Sequence, residues 1–431
     1  MTGKKRPHRQ HWARHHRILA GVLIAFLVVA VGLLFAQDQE TIRIKSPLAV
    51  DDARFPQYVA NLLGHRLTSN DSYVVLTDGT QAFPAMLAAI GRATDRIALE
   101  TYIYASGDVA TQFTDALEAA AKRGVRAHIV LDSVGSKKMS GDDEKRLKAA
   151  GVQVRWVNPL FGFQIEEINY RTHRKALVVD GDVAFVGGMG IADQWAHDEK
   201  DFPMWRDTVV EIHGPAVDDV EAAFNQNWIV VAGEVEPEVE PVSAPPSGPG
   251  RSVVVWSAPQ TGVNELKILY LLAIAAARHS IDIESPYLIL DESSRWSLEE
   301  ARRRGVHIRL LVEGDKTDAR SVKYASRSDY SWMLEDGFEI AEYQPTMLHT
   351  KALIVDGLLS IVGSANFDNR SLELNDELNV AVFDRGLAAR LLQDFEADLK
   401  KSKKLDLESW QSRPLPERAR EWAWSYFGEV F

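Results

Sequence analysis

LHTKALIVDGLLSIVGSANF, residues 348–367, sets a histidine and a lysine two positions apart at the head of an apolar, strand-like run, and THRKALVVDGDVAFVGGMG, residues 172–190, does the same in the first half of the chain. Side chains alternate across a strand, so His173 and Lys175 share one face, as do His349 and Lys351. The Asp-Gly pairs at 180–181 and 356–357 are hairpin signals. The returning strands VAFVGG and LSIVGS end in small residues, which let a backbone approach an anion. Imidazole, ammonium and bare amides on one surface suit an oxyanion such as phosphate. One such pair is usually only a polar strand end. Two copies, each HxKx4D followed by a Gly-Gly or Gly-Ser pair, point to chemistry.

The repetition extends outward from the two motifs. RIALETYIY, DVATQFTDALEAAAKRG, VRAHIVLDS and GVQVRWVNP precede the first, and SIDIESPYLIL, SSRWSLEEARRRG, VHIRLLVEG and GFEIAEYQP precede the second, in the same order. Strand-like and amphipathic runs alternate, which predicts βα units. Ile97 and Ile281, Arg123 and Arg304, Gly151 and Gly337, His173 and His349 all lie near 180 residues apart. The reading is a duplicated α/β body: residues 71–232 form the first domain and 251–431 the second, the latter with an aromatic tail (REWAWSYFGEVF). Between them, residues 233–250 are rich in Pro, Glu and Gly and read as a connector.

The N-terminal end differs in kind. Residues 1–17 carry six Lys or Arg and no acid, and Ile18–Ala36 is an uncharged apolar run of 19 residues, spanning about 28 Å as a helix. It is read as one transmembrane helix with residues 1–17 as a basic cytoplasmic tail, residues 37–70 as a tether, and the body outside the cytoplasm. The run is longer than the usual core of a cleaved signal, and LLFAQ is a poor cleavage site. Of a net charge of −12, the segment after residue 17 holds 43 basic against 61 acidic residues. So acidic a body is repelled by a phosphate backbone, and no nucleic-acid partner is expected. The absence of cysteine excludes disulfides, thiolate metal sites and a cysteine nucleophile.

At the two motifs the sequence resembles the phospholipase D superfamily, whose signature is HxKx4Dx6G(G/S)xN, present twice. Residues 349–366 match throughout, ending in Gly363, Ser364 and Asn366; residues 173–190 match except that Gly190 stands in place of the asparagine. ETYIY, MWRDTVVEIHGPAV and GSANFDNRSLELNDELNV are similar to bacterial cardiolipin synthases in particular. The resemblance implies an α/β fold of duplicated phospholipase D-type domains packed with pseudo-two-fold symmetry, here preceded by one transmembrane helix in the bacterial cytoplasmic membrane. It implies a catalytic set of His173, Lys175, Asp180, His349, Lys351 and Asp356, with His173 as nucleophile and His349 as acid and base. Lys175, Lys351, Asn366 and Ser364 would hold phosphoryl oxygens, Asp207 and Glu377 would orient the imidazoles, and Asp180 and Asp356 would shape the turns. Asn169 is a candidate for the missing amide. No metal or cofactor is implied. The implied reaction is phosphatidyl transfer from phosphatidylglycerol to phosphatidylglycerol or phosphatidylethanolamine through a phosphohistidine, with the lipid bilayer as partner. The alternatives are a phospholipase D that transfers to water, releasing phosphatidic acid, and a catalytically silent lipid-binding scaffold.

Overall fold

The computed structural model describes residues 41–44, 48–157, 171–198, 202–235, 247–258 and 264–425. The predicted basic tail and span (residues 1–36), Asn169 and the middle of the connector lie outside them. Among the described residues no helix is long and apolar enough to cross a membrane.

The two halves make one fifteen-stranded sheet with a repeated order. From its edge inward the first half runs Gln153–Val157, Arg126–Asp132, Arg96–Thr101, Ala176–Val179, Val183–Gly187, Thr208–His213 and Leu67–Thr77. The second half runs Glu339–Tyr343, His307–Glu313, Ser280–Glu284, Ala352–Val355, Leu359–Gly363, Leu378–Phe383 and Gly250–Trp256, with Ser402–Lys404 added at its edge. In each half the first three strands are parallel, as βα units require, and the HxK hairpin joins them antiparallel. The halves meet where Leu67–Thr77 pairs antiparallel with its counterpart Gly250–Trp256, Leu67 opposite Val253. Antiparallel pairing of equivalent strands relates the halves by a local two-fold rotation. The same strand then bulges at Asn70, whose φ is 67°, and turns to pair with Thr208–His213.

Both faces of the sheet are covered, which is why its central strands read as continuous apolar runs. One face carries Gly79–Arg92 and Asp108–Lys122 in the first half, and Glu265–Ala276 and Glu292–Arg303 in the second. Asp108–Lys122 turns Val109, Ala110, Phe113, Leu117 and Ala120 inward at helical spacing. The other face holds a core common to both halves, where Val178, Val186, Val254, Ile354 and Val380 lie under helices Ala216–Ala232 and Arg385–Leu399. The repeat reaches single hydrogen bonds: Arg123 donates to the carbonyls of Ile90 and Ala93, and Arg304 to those of Ile274 and Ala277.

Three segments depart from the sequence reading. The tether is not bare: Phe55–Leu63 is a helix whose Phe55, Val59, Ala60 and Leu63 are buried in the second half's core, and the first strand begins at Leu67 rather than 71. Those apolar positions follow helical spacing that the polar flanks obscured. Lys403 and Lys404, which the sequence offers as a solvated helix end or a face toward anionic lipid, lie in the edge strand, where lysine blunts further pairing. The described part of the aromatic tail is a helix, Leu415–Ser425.

Candidate active site

Each motif histidine stands three residues ahead of its strand and is fixed by the opposite half. The amide of His173 donates to the Asp376 carbonyl at 2.8 Å, and that of Asp376 to the Arg171 carbonyl at 2.9 Å. The same exchange recurs in the other direction: the His349 amide donates to the Arg206 carbonyl at 2.7 Å, and the Arg206 amide to that of Met347 at 2.9 Å. The next residues along, Glu377 and Asp207, are therefore delivered to the imidazoles of the opposite half. Glu377 Oε1 lies 2.8 Å from His173 Nδ1, and Asp207 Oδ2 lies 2.8 Å from His349 Nδ1. Both carboxylates are fully buried. Asp207 and Glu377, taken together from the sequence, thus hold one histidine each, crossed between halves.

Burial keeps both rings neutral. Desolvation brings His173 down to about 4, against the pull of Glu377, and takes His349 well below its ordinary value, with Lys351 adding to the effect. Burial works to raise Glu377, but His173, Lys175 and Ser364 outweigh it and hold the carboxyl below its usual range. Asp207 is pushed up to about 6 by burial despite Lys351 beside it. A neutral imidazole that donates Nδ1–H to a carboxylate presents the Nε2 lone pair, the tautomer a nucleophile or base needs. The lysines are held by their own motifs, Lys175 Nζ donating to the His173 carbonyl at 2.7 Å and Lys351 Nζ to that of His349 at 2.6 Å. Burial lowers Lys175 to about 7 and Lys351 to about 8. Glu377 and Asp207 act on both lysines and offset part of this, and an arriving anion would favour their charged forms further.

The halves differ in how the carboxylates are held. Ser364 donates its hydroxyl to Glu377 Oε2 at 2.5 Å and accepts from the Leu378 amide at 2.9 Å. It orients the glutamate, rather than offering its hydroxyl to phosphate as the resemblance implied. Its counterpart is Gly188, where an added Cβ would come 2.4 Å from Asp207 Oδ1. Asp207 is held instead by the Thr208 amide at 2.8 Å and by Trp195 Nε1 at 3.0 Å. Trp195 also explains the lost asparagine. A Cβ at Gly190 would meet Ile103 Cβ at 2.8 Å and Trp195 Cζ3 at 3.1 Å, so Ile103 and the indole together occupy the room a side chain would need. On the other side Asn366 is present and nearly buried, with its Oδ1 lacking a hydrogen-bond partner.

Asp180 and Asp356 leave the catalytic set. Each sits at the far end of its strand, roughly 16 Å of extended chain from the motif lysine, in a left-handed turn conformation with φ of 55° and 51°. Asp180 accepts from the amides of Thr94, Asp95 and Arg96, and Asp356 from those of Arg278, His279 and Ser280. They pin the hairpin to the neighbouring strand. Sequence reasoning missed Tyr102, Trp195 and Trp205, whose rings pack on His173 (Tyr102, 5.0 Å) and on His349 (5.4 and 5.3 Å). It also missed Arg174 and Arg206, buried bridges donating across to Ser257 and Asp398 of the other half. Only the proximity of these residues to the motifs hinted at them. Among the described residues the one trio able to converge on a cation is Asp108, Asp193 and His197. It lies at the start of helix Asp108–Lys122, where Asp193 already accepts from two amides.

Comparison with known proteins agrees with this geometry. The family described as "Cardiolipin synthase, PLD-like domain" matches twice, over residues 86–228 and 270–399, once in each half. A cardiolipin synthase of Geobacillus kaustophilus is 34% identical over 387 residues, 87% of this chain and 77% of that one. Cardiolipin synthase 2 of Bacillus anthracis is 37% identical over 350 residues, 80% of this chain and 68% of that one. Among solved structures, phosphatidylserine synthase of Haemophilus influenzae superposes with a TM-score of 0.69 at 13% identity, over 87% of this chain and all of the other, a likeness of fold. With two matching domains and relatives of this identity over most of its length, the chain belongs to the phospholipase D-like cardiolipin synthase family.

Proposed function

We infer that the protein is a membrane-anchored phosphatidyltransferase that joins the phosphatidyl group of one phosphatidylglycerol to a second phospholipid alcohol, forming cardiolipin when the acceptor is also phosphatidylglycerol. The observation that carries the reading is the crossed pair of buried histidine–carboxylate contacts, His173 with Glu377 and His349 with Asp207, each beside a motif lysine. In the proposed sequence Nε2 of His173 attacks phosphorus, and the bond to the glycerol headgroup breaks as His349, which enters this step as an imidazolium held by Asp207 after taking a proton at Nε2 when the phosphate anion binds, gives that proton to the departing oxygen. The product is phosphatidyl-His173 and glycerol. The acceptor hydroxyl then returns a proton to His349 and its oxygen displaces His173, restoring both imidazoles. Lys175 and Lys351 would neutralise the non-bridging oxygens. Water in the acceptor's place would give phosphatidic acid by the same steps.

Residues 18–36 would anchor the chain in the bacterial cytoplasmic membrane with residues 1–17 inside and the catalytic body outside. Purified protein incubated with labelled phosphatidylglycerol tests the activity: cardiolipin with released glycerol supports transfer, phosphatidic acid assigns a hydrolase, and neither product leaves a lipid-binding scaffold. A reporter fused after Phe431 that is active only in the cytoplasm would overturn the orientation.

A further inference from the structure

Helix Leu415–Ser425 is amphipathic the wrong way round for a helix that ends its contacts at the protein surface. Its acidic residues face inward. Glu421 is 3% exposed and takes both guanidinium nitrogens of Arg413, at 2.6 and 2.9 Å, with Arg327 at 3.2 Å. Glu417 lies 3.4 Å from Arg327, and Arg420 reaches the Tyr324 hydroxyl at 3.0 Å. Its outward face shows Leu415, 75% exposed, and Trp422, 63% exposed, with Arg418, Ala419 and Ala423 also in solvent. None of these is acidic, in a chain of net charge −12.

The helix also lies at the histidine end of the fold. Strand His307–Glu313 runs parallel to Ser280–Glu284, whose Glu284 pairs with Ala352 beside Lys351. The loop after Glu313 therefore opens at that end and leads into helix Arg320–Arg327. The contacts of Arg327 with Glu417 and of Tyr324 with Arg420 set the two helices antiparallel, so Trp422 lies toward the start of Arg320–Arg327. We propose that the outward face of Leu415–Ser425 docks on an anionic lipid surface, with Leu415 and Trp422 entering the interface and Arg418 meeting lipid phosphates, so that the histidine end faces the bilayer. Tryptophan suits the boundary between headgroup and acyl chain, and apolar-plus-basic faces bind anionic interfaces. The inference rests on the lipid-transfer reading for its choice of occupant.

The chain has no cysteine, so a single one can carry a reporter. An environment-sensitive dye on Ala419→Cys in the full-length protein would be compared with the same dye on Asp182→Cys, an exposed position in the hairpin turn at the opposite end of the strands. Vesicles of phosphatidylglycerol and phosphatidylcholine, doped with doxyl-labelled lipid, should quench the first and leave the second unchanged. Adding Leu415→Glu and Trp422→Glu should abolish that quenching and raise the vesicle concentration for half-maximal activity about tenfold or more. Hydrolysis of the soluble diester bis(p-nitrophenyl) phosphate should stay at the parent rate, showing an intact fold and site. Equal response at positions 419 and 182, or an unchanged vesicle requirement, would overturn the proposal. A lipid-free excimer signal from pyrene at 419 would overturn it in favour of a second copy of the chain. Failure of the parent protein to make cardiolipin in detergent micelles would instead count against the transfer reading, whatever the dye reports.

Discussion

Replacing Glu377 with glutamine keeps the shape of the buried side chain and removes its charge, and the surrounding hydrogen bonds dictate how the amide must sit. Ser364 accepts from the Leu378 amide and directs its own proton at Glu377 Oε2. In Glu377→Gln the amide oxygen must take that place, because an NH2 group there would face the hydroxyl proton. The NH2 group then confronts His173 Nδ1, 2.8 Å away in the parent. That is the shorter of two contacts, the retained oxygen lying 3.1 Å from Nδ1; where the shorter one decides, Nδ1 becomes an acceptor, the proton moves to Nε2, and the lone pair that attacks phosphorus is gone. The corresponding change in a serine-protease triad costs about 10⁴ in kcat through the same wrong tautomer. A loss of about 10³ to 10⁴ is expected here, or about 4–5.5 kcal/mol in the barrier. Asp207→Asn makes the contrast. Trp195 and His349 both donate to Oδ2, so the asparagine oxygen can stay there and keep the His349 tautomer, its NH2 facing only the Thr208 amide. It should cost less, about 10- to 100-fold, at or below the lower end of the effect of losing a general acid–base group altogether, because the ring stays in place. Steady-state turnover of phosphatidylglycerol in micelles, with thermal unfolding as a check on folding, measures both. Equal losses, or a Glu377→Gln protein within tenfold of the parent, would refute the tautomer argument.

Lys175 and Lys351 hold phosphate only when protonated, and burial lowers them to about 7 and about 8. The kcat/KM profile should therefore fall as pH rises through 7–8, and fall on the acid side first near 6, where Asp207 takes a proton and no longer holds His349 as a carboxylate, and again near 4, where His173 gains its proton; an alkaline limb near 10 would contradict the burial argument. Gly190→Asn should not restore a missing catalytic amide but destabilise the fold by about 1–3 kcal/mol through overpacking against Ile103 and Trp195, read as a lowered denaturation midpoint in urea. Asp356→Ala leaves three buttressing amides without their carboxylate; it should cost about 1–3 kcal/mol of stability with turnover per folded molecule changed less than about threefold, whereas a large loss of kcat would return Asp356 to the catalytic set.

The catalytic pair and the duplication were legible because they are local: His173 with Lys175 and Asp180 with Gly181 are set by strand alternation and turn chemistry, and the second copy repeats both. Partners brought by tertiary structure were only half legible. Glu377 and Asp207 stood out as carboxylates near the motifs, but which histidine each serves is decided by crossed backbone bridges at Asp376 and Arg206, more than 140 residues from the rings they place. Nothing local marks such a crossing. The opposite failure occurred at Ser364, whose motif position suggested phosphate while its neighbour Glu377 claims the hydroxyl. Trp195 was invisible, since an indole filling the space above a glycine leaves a trace only as the glycine itself. The helix Phe55–Leu63 was missed because its apolar positions are diluted by polar residues on the exposed side.

Trapping the covalent intermediate tests most directly the claim that the crossed histidine pair performs phosphatidyl transfer. With a p-nitrophenyl phosphodiester, whose leaving group needs no proton, the His349→Ala protein should accumulate a phosphohistidine on His173, identified by mass spectrometry and turned over very slowly for want of a base. The His173→Ala protein should show no adduct. Phosphate on His349 in the His173→Ala protein, with none on His173 in the reciprocal variant, would reverse the assignment, and no adduct in either would contradict covalent transfer altogether.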